Sequence, residues 1–306
     1  MSKLVVCIPA RNEAEHLPVL LDAMATQTEQ GVPIIVALNN TSDRSWDVLD
    51  AAQRRHPALK LYVDMISFPE ADAHAGSARR RAMDLAADRA GQDGLIVTTD
   101  ADARPPPEWL AANRAAMQDG LDVVGGRIVI DEEASLPPSL ALMVALANRY
   151  WAQVRAIEDA IDPVPWDPPP RHGDHTGASL CITTRAYQRC GGVPVIASGE
   201  DRGLVRNVVR NGGRLAHPIE IWTRVSARTV GRAIGGMAEH MQRLQASCEA
   251  GQQIVLPSFE QWRARALWRR EIRNGGGTAL VAEREEELPP MVDNMVLDHD
   301  ALESVA

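Results

Sequence analysis

The amino-acid sequence predicts an α/β fold with a mostly parallel central sheet flanked by helices, followed by a C-terminal helical extension. In the first third of the chain, short apolar runs alternate with amphipathic segments, and polar residues directly follow three of these runs. Hydrophobic residues make up 45% of the 306 residues, which is enough to build a sizeable core. Strands that alternate with helices form parallel sheets, and ligands bind at the carboxyl ends of such strands.

Each predicted element follows from its local pattern. The predicted strands are short apolar runs at residues 4–8, 33–38, 59–63, 94–99, 122–130 and 178–184. The predicted helices cover residues 13–26, a segment that ends near 55, and residues 77–89, 140–157 and 201–211. Residues 162–172 are expected to form a loop, because their prolines fix φ and remove backbone donors. The acidic, proline-interrupted tail from Glu283 is expected to be partly disordered.

Charge and cysteine content exclude several classes of protein. A formal net charge of −9 argues against a general affinity for nucleic acid, although it leaves room for a local basic pocket. Cys7, Cys181, Cys190 and Cys248 form no Cys-x-x-Cys pair, which disfavours a zinc site or a disulfide framework and suits a reduced compartment. The apolar run 4–8 is too short for a signal peptide or a membrane span. We therefore expect a cytoplasmic protein without a membrane span.

Asp100 and Asp102 follow the fourth predicted strand. In an extended chain, residues two apart face the same side, with Cα atoms roughly 6.6 Å apart. Two such carboxylates can share a hard cation such as Mg²⁺ or Mn²⁺, or one can bind the cation while the other holds a ribose. The same residues could instead form a turn that caps the helix beginning near Glu108. The pattern alone leaves both interpretations open.

Glu200 and Asp201 open a predicted helix, after Gly199. Acidic residues in a first turn are favoured by the helix dipole whatever their function. A functional interpretation requires a carboxylate near the substrate that takes a proton from an attacking hydroxyl. The pair by itself does not decide between the two.

Three arginines are candidates for phosphate binding. Arg79 lies at the start of a predicted helix, and Arg228 and Arg232 lie in a segment rich in small residues. Arginine binds a diphosphate through paired donors, and helix N-termini favour anions. We assign the neighbouring Arg80 and Arg81 to the solvated surface.

Histidines supply one further candidate. His172, His175 and His217 flank the segments discussed above. His217, which precedes Pro218, is the candidate for a third metal ligand. A hydrogen-bonded structural role is more common for such a histidine.

Four stretches, in this order, resemble the family 2 glycosyltransferases, which have the GT-A (nucleotide-diphospho-sugar transferase) fold. They are residues 6–13 (Val-Cys-Ile-Pro-Ala-Arg-Asn-Glu), 39–43 (Asn-Asn-Thr-Ser-Asp), 97–102 (Val-Thr-Thr-Asp-Ala-Asp), and 177–180 together with 191–194 and 199–201. The resemblance implies a GT-A domain at residues 1–235. Its nucleotide-sugar-binding half is expected at 1–130 and its acceptor half at 131–235. A C-terminal helical extension with an acidic tail is expected at 236–306.

The resemblance also implies a nucleotide-sugar pocket lined by Pro9, Ala10, Arg11, Glu13, Asn39, Asn40, Asp100 and Ala101. Asp102 is the expected main ligand of Mn²⁺ or Mg²⁺. Asp201 is the expected general base, with Glu200 beside it at the acceptor. The implied reaction is an inverting transfer from a UDP- or GDP-sugar to an acceptor hydroxyl. The family often has an aspartate at the position of Leu38 that helps to read the base, so uridine and guanosine both stay open.

Other classes fit the sequence less well. Sugar-phosphate nucleotidyltransferases share the fold, but usually have a glycine-rich basic loop after the first strand, and residues 9–13 contain no glycine. A Rossmann dehydrogenase is disfavoured because no Gly-x-Gly-x-x-Gly follows that strand. A non-catalytic nucleotide-sugar-binding module is a further alternative. The presence of both acidic pairs argues against it.

Overall fold

The structure is a computed structural model that describes residues 2–131, 137–226 and 237–298. The strands are β1 (Leu4–Ala10), β2 (Pro33–Asn39), β3 (Lys60–Ile66), β4 (Leu95–Thr98), β5 (Ala103–Arg104), β6 (Val123–Gly125), β7 (Arg127–Ile130), β8 (Leu180–Thr183), β9 (Leu215–Ala216), β10 (Trp222–Val225), β11 (Val255–Pro257) and β12 (Asp293–Val296). The α-helices are α1 (Leu17–Ala25), α2 (Ser45–Arg55), α3 (Ala75–Ala90), α4 (Trp109–Ala116), α5 (Pro138–Ile161), α6 (Thr184–Arg189), α7 (Glu200–Arg210), α8 (Met237–Glu249), α9 (Phe259–Asn274) and α10 (Val281–Glu286).

The described residues divide into two compact units. The first comprises residues 2–131 and 174–226, and the second comprises 137–173 and 237–298. The main sheet of the first unit has the strand order β3-β2-β1-β4-β8-β6-β9. Strands β1 to β4 pair in parallel, whereas β8 runs antiparallel to both β4 and β6. This confirms the predicted α/β fold with a mostly parallel sheet.

One face of the main sheet is covered by α3, α6 and α7, whose buried apolar residues form one cluster with those of the strands. On α3, Ala82, Met83 and Ala86 face the sheet at helical spacing, and the small alanines allow close approach. Arg79 precedes Ala82 by three residues and Ala86 by seven, so it lies on the same buried face of α3. This periodicity points a charged side chain toward the carboxyl ends of the strands.

The prediction of one continuous strand at residues 122–130 is wrong. It is interrupted at Gly126, and the chain passes from β6 in the main sheet to β7 in a smaller sheet with β10 and β5. A Cβ atom on Gly126 would lie 2.0 Å from the Oγ atom of Ser179, which directly precedes β8, so a residue with a side chain would not fit there without movement. A run of apolar residues does not reveal such a change of sheet.

The second unit has its own core, in which Leu146, Tyr150 and Val154 of α5 pack with Phe259 of α9. The long helix α5 therefore packs with the C-terminal region, whereas the sequence placed it in the acceptor half. The expected partial disorder from Glu283 is not found as far as residue 298. There α10 and β12 are formed, and Leu297 is buried in the same core.

Among the described residues, no helix is long and apolar enough to cross a membrane.

Candidate active site

The loops after β1 and β2 are tied together by Asn12. Its φ is +53°, a left-handed conformation that asparagine tolerates better than most residues. Its Oδ1 accepts hydrogen bonds from the backbone N–H groups of Ser42 at 2.7 Å and Asp43 at 3.2 Å. Asp43 Oδ2 accepts a further bond from the N–H of Ala14 at 3.0 Å. These bonds fix the two loops side by side at one edge of the sheet.

The predicted pocket residues of the first loop differ in exposure. At the end of β1, Pro9 is half-buried and Ala10 is buried. Arg11 is exposed, and its Nη1 donates to the Ala73 carbonyl at 2.8 Å. Glu13 is buried, with a carboxylate oxygen 2.9 Å from His16 Nδ1. Arg11 thus presents a charged group at this edge, whereas Glu13 faces inward.

At the end of β2, Asn39 is buried and Asn40 has a φ of +45°. The side-chain amide of Asn40 donates to the Phe68 carbonyl at 2.9 Å and accepts from the Phe68 N–H at 3.0 Å. These two bonds hold the segment that follows β3 next to Asn40. Leu38 is 1% exposed and pairs with Ala10 in the sheet, so it offers no hydrogen-bonding group to a base.

Asp100, Ala101 and Asp102 form a turn at the end of β4, in which the Ala103 N–H donates to the Asp100 carbonyl at 3.1 Å. Ala101 is buried, and both aspartates are half-buried. Helix α4 begins at Trp109 with Glu108 as its N-cap residue, so neither aspartate caps it. The helix-cap interpretation of this motif is therefore wrong.

Arg79 bridges two of the predicted site segments. Its Nη2 donates to Asp100 Oδ1 at 2.7 Å, and its Nε donates to Glu200 Oε1 at 3.0 Å. Its Nη1 donates to Thr98 Oγ1 at 2.9 Å and to the Gly177 carbonyl at 3.1 Å. Arg79 and Glu200 are each 5% exposed. The guanidinium expected to meet phosphate is thus surrounded by protein acceptors, and Glu200 faces this guanidinium from inside the fold.

The charge of Arg79 is maintained by its surroundings. Burial alone would lower the pKa of the guanidinium, but the nearby carboxylates Asp100, Glu200 and Asp201 raise it above its ordinary value. An ion pair with both partners buried persists when further hydrogen bonds satisfy the groups. The bonds to Thr98 and Gly177 meet that requirement.

Asp201 lies at the start of α7 and is half-buried. Its Oδ2 accepts from the Gly177 N–H at 2.7 Å, and its Oδ1 accepts from the Arg202 N–H at 2.7 Å. Gly177 therefore contacts Asp201 through its N–H and Arg79 through its carbonyl. The sequence-predicted Asp100, Glu200 and Asp201 are brought together in this way, although they are distant in the sequence.

The other predicted ligands gain less support. His217 Nε2 lies 3.2 Å from His175 Nδ1, so that nitrogen already faces an imidazole. Arg228 and Arg232 lie outside the described residues. Among the described residues, no group of three or more His, Cys, Asp or Glu side chains could hold a metal ion.

The sequence did not reveal that Thr98 binds Arg79, or that Gly177 contacts both Arg79 and Asp201. Thr98 reads as an ordinary strand residue, and its bond to Arg79 spans 19 positions. Gly177 lies 98 positions from Arg79. The available signals were the glycine itself, which allows close approach of other groups, and its place in the stretch 177–180 that resembles the family.

Comparison with known protein families identifies the family to which the chain belongs. Residues 5–166 match the sequence profile described as "Glycosyl transferase family 2". The chain belongs to glycosyl transferase family 2. The resemblance seen in its motifs is therefore confirmed.

Curated relatives of this family 2 transferase include two enzymes named undecaprenyl-phosphate 4-deoxy-4-formamido-L-arabinose transferase. The one from Serratia proteamaculans is 30% identical over 128 residues, which are 41% of this chain and 36% of the relative. The one from Proteus mirabilis is 29% identical over 130 residues, which are 42% and 37% of the two chains. The match thus spans little more than a third of the length of these relatives.

Solved structures support the GT-A fold of this family 2 transferase. S. aureus TarS in complex with UDP-GlcNAc aligns over 93% of this chain and 77% of its own, with a TM-score of 0.55 and 15% identity. The mannosyltransferase PcManGT from Pyrobaculum calidifontis, in complex with GDP-Man and Mn²⁺, aligns over 93% and 80%, with a TM-score of 0.53 and 16% identity. At such low sequence identities, the structural similarity shows the fold alone.

Proposed function

We propose that this glycosyltransferase moves a sugar from a nucleotide-diphosphate donor to an acceptor hydroxyl, with inversion at the anomeric carbon and with the help of Mn²⁺ or Mg²⁺. The observation that carries the proposal is the bridge through Arg79. It holds Asp100, at the end of β4, 2.7 Å away and Glu200, at the start of α7, 3.0 Å away. Asp100, which we place at the donor, and helix α7, which carries the proposed base Asp201, thus meet at one edge of the sheet.

Asp201 is the proposed general base. It takes the proton of the acceptor hydroxyl while that oxygen forms the new bond to the anomeric carbon, and the bond from that carbon to the diphosphate oxygen breaks. The two backbone hydrogen bonds at 2.7 Å orient the carboxylate. Each carboxylate oxygen has two lone pairs, so a lone pair on each stays available for the proton.

Asp102 and the second oxygen of Asp100 are the proposed protein ligands of the divalent cation. Their half-buried position in a turn fits an ion that is held by one or two carboxylates and completed by substrate phosphates, as is usual for Mg²⁺. When bound, the cation would neutralise the charge that grows on the leaving diphosphate. The structure of PcManGT carries Mn²⁺, which makes Mn²⁺ the first ion to test.

Leu38 has no polar side-chain group with which to distinguish one donor base from another. One aligned structure holds UDP-GlcNAc and another GDP-Man, so both uridine and guanosine donors belong in the test. The acceptor named for the curated relatives is undecaprenyl phosphate, so a polyprenyl phosphate belongs among the acceptors.

The experiment is a panel of nucleotide sugars with Mn²⁺, Mg²⁺ or a chelator, followed by product analysis and by calorimetry of donor binding. We expect turnover that needs the cation and a product of inverted anomeric configuration. Asp201→Asn should lose turnover by about 10²-fold or more and keep donor affinity, because a general base contributes about that much. Asp102→Asn should weaken cation-dependent donor binding. Asp93→Asn, at an exposed surface pair, is the matched control.

Three outcomes would contradict the proposal. Full activity of Asp201→Asn would remove Asp201 as base. Release of pyrophosphate from a nucleoside triphosphate and a sugar 1-phosphate would identify a nucleotidyltransferase instead. Donor binding with no hydrolysis or transfer across the whole panel would favour a non-catalytic module.

A further inference from the structure

Arg79 is a buried cation inside the candidate site that the proposed reaction does not use directly. Four hydrogen bonds join its guanidinium to Thr98, Asp100, Gly177 and Glu200, at distances between 2.7 and 3.1 Å. Arginine has five N–H donors in a rigid plane, so this arrangement engages nearly all of them at fixed angles. A planar group with that many partners determines the relative position of the segments that it contacts.

We propose that Arg79 is a positioning residue for the transfer reaction, which fixes the donor-side Asp100 and the base-side Gly177–Asp201 contact in one hydrogen-bonded unit. This inference rests on the proposed function and assigns Arg79 a role other than the phosphate binding expected from the sequence.

The local charge argues against phosphate binding by Arg79. Arg79 is 5% exposed, and the carboxylates of Asp100 and Glu200 both contact its guanidinium. These two negative charges compensate the one positive charge of the guanidinium, so Arg79 has no excess positive charge to offer a diphosphate. Arginines that bind phosphate need donors that reach the ligand, whereas the donors here reach protein oxygens.

Gly177 connects Arg79 to the proposed base. The Gly177 carbonyl accepts from Arg79 at 3.1 Å, and the Gly177 N–H donates to Asp201 at 2.7 Å. A Cβ atom at residue 177 would lie 2.3 Å from two atoms of the guanidinium, so a glycine is needed for this contact. If the guanidinium is removed, Gly177 loses a partner on one side, and the orientation of Asp201 is no longer fixed from that direction.

The test compares Arg79→Met, Arg79→Lys and Arg79→Ala with Arg81→Met. Arg81 lies on the same helix, and it forms its own bidentate ion pair with Asp64 at 2.8 and 2.9 Å, so its removal controls for loss of an arginine pair from α3. Thermal unfolding of each variant checks that the fold is kept. The kinetic readouts are kcat and the donor KM. The binding readout is the ratio of the dissociation constants of the nucleoside monophosphate and nucleoside diphosphate.

We expect Arg79→Met to lower kcat about 10²-fold, because misplaced catalytic groups cost about this much. The donor KM should change by about tenfold or less. The ratio of the two dissociation constants should stay as in the wild type, since Arg79 does not touch phosphate. Arg79→Lys should restore part of kcat, because one ammonium can pair with a carboxylate but cannot make all four bonds. Added guanidinium ion should raise kcat of Arg79→Ala, and Arg81→Met should behave as the wild type.

Hydrogen exchange at the Gly177 amide gives a readout that does not need turnover. In Arg79→Met or Arg79→Lys this amide, which donates to Asp201, should exchange faster than in the wild type or in Arg81→Met. An unchanged exchange rate in a folded variant would overturn the proposal. So would an unchanged kcat, or a selective loss of diphosphate affinity, which would mark Arg79 as a phosphate ligand. Absence of transfer by the wild type would refute the proposed function, and the exchange measurement would still decide the role of Arg79.

Discussion

The buried ion pair between Arg79 and Glu200 allows a quantitative prediction for stability. The two side chains are 6% and 7% exposed, and the charged atoms lie 3.0 Å apart. Removing one partner of such a pair leaves an uncompensated buried charge, which typically costs about 3–5 kcal/mol. We therefore expect Glu200→Ala to lower the free energy of unfolding by about 3–5 kcal/mol. Asp100 still contacts Arg79, which favours the lower end of this range.

Two comparisons separate charge from hydrogen bonding. Glu200→Gln keeps an oxygen acceptor for Arg79 Nε, so we expect a smaller loss of about 1.5–3 kcal/mol. Asp93→Ala breaks a surface pair with Arg185, in which the side chains are 80% and 68% exposed, and should cost about 0–1 kcal/mol. The loss of stability should therefore be largest for Glu200→Ala, smaller for Glu200→Gln and smallest for Asp93→Ala.

Urea unfolding followed by circular dichroism, at equal protein concentration and near neutral pH, measures these differences. The linear dependence of the free energy on urea gives each value, and an unchanged slope shows that the same surface unfolds. The reasoning would be refuted if Glu200→Ala lost no more stability than Asp93→Ala, because the buried pair would then contribute no more than a solvated one.

Three further predictions follow from other contacts. Gly177→Ala should lower the free energy of unfolding by about 1–3 kcal/mol and should also lower turnover, because the new Cβ atom would lie 2.3 Å from the Arg79 guanidinium. Urea denaturation measures the first effect and initial rates measure the second. Cys7 and Cys181 are fully buried, and burial raises both thiol pKa values, that of Cys7 to about 12. Between pH 9 and about pH 12 the unfolded thiols ionise while the folded ones do not, so the free energy of unfolding should fall by about 1.4 kcal/mol per pH unit for each thiol. In the Cys7→Ala/Cys181→Ala double variant, the free energy of unfolding, measured by urea denaturation at several pH values, should fall less steeply with pH. A slope equal to that of the wild type would contradict the assignment. Tyr150→Phe should cost about 1–3 kcal/mol, because its hydroxyl donates to the Pro257 carbonyl at 2.7 Å, and a loss below about 0.5 kcal/mol in thermal unfolding would contradict this.

Local patterns were sufficient to predict the parallel strands of the sheet and the edge that carries the candidate site. The apolar runs of β1, β2 and β4 are buried strands, and parallel pairing brings their carboxyl ends to one edge. The turns after them, with Asn12 and Asp100, therefore lie at that edge. The order of the motifs was also enough to indicate the family, which the profile match confirmed.

Other features depend on contacts between segments that lie far apart. The two acids of the Glu-Asp pair look equivalent in the sequence. In the structure, Glu200 is buried against Arg79 at a separation of 121 positions, whereas Asp201 is half-buried and binds the Gly177 N–H at a separation of 24. A helix periodicity predicts the face on which a residue lies, but the partners on that face depend on which elements pack there.

The sequence by itself thus determined the alternation of strands and helices, the family, and the edge of the sheet at which the polar residues lie, because periodicity and strand direction are local properties. The tertiary structure alone decided that Arg79 meets carboxylates, that the chain changes sheets at Gly126, and that the tail packs with α5 and α9. These outcomes depend on close packing between distant segments, where the absence of one Cβ atom or the presence of one buried charge selects the arrangement.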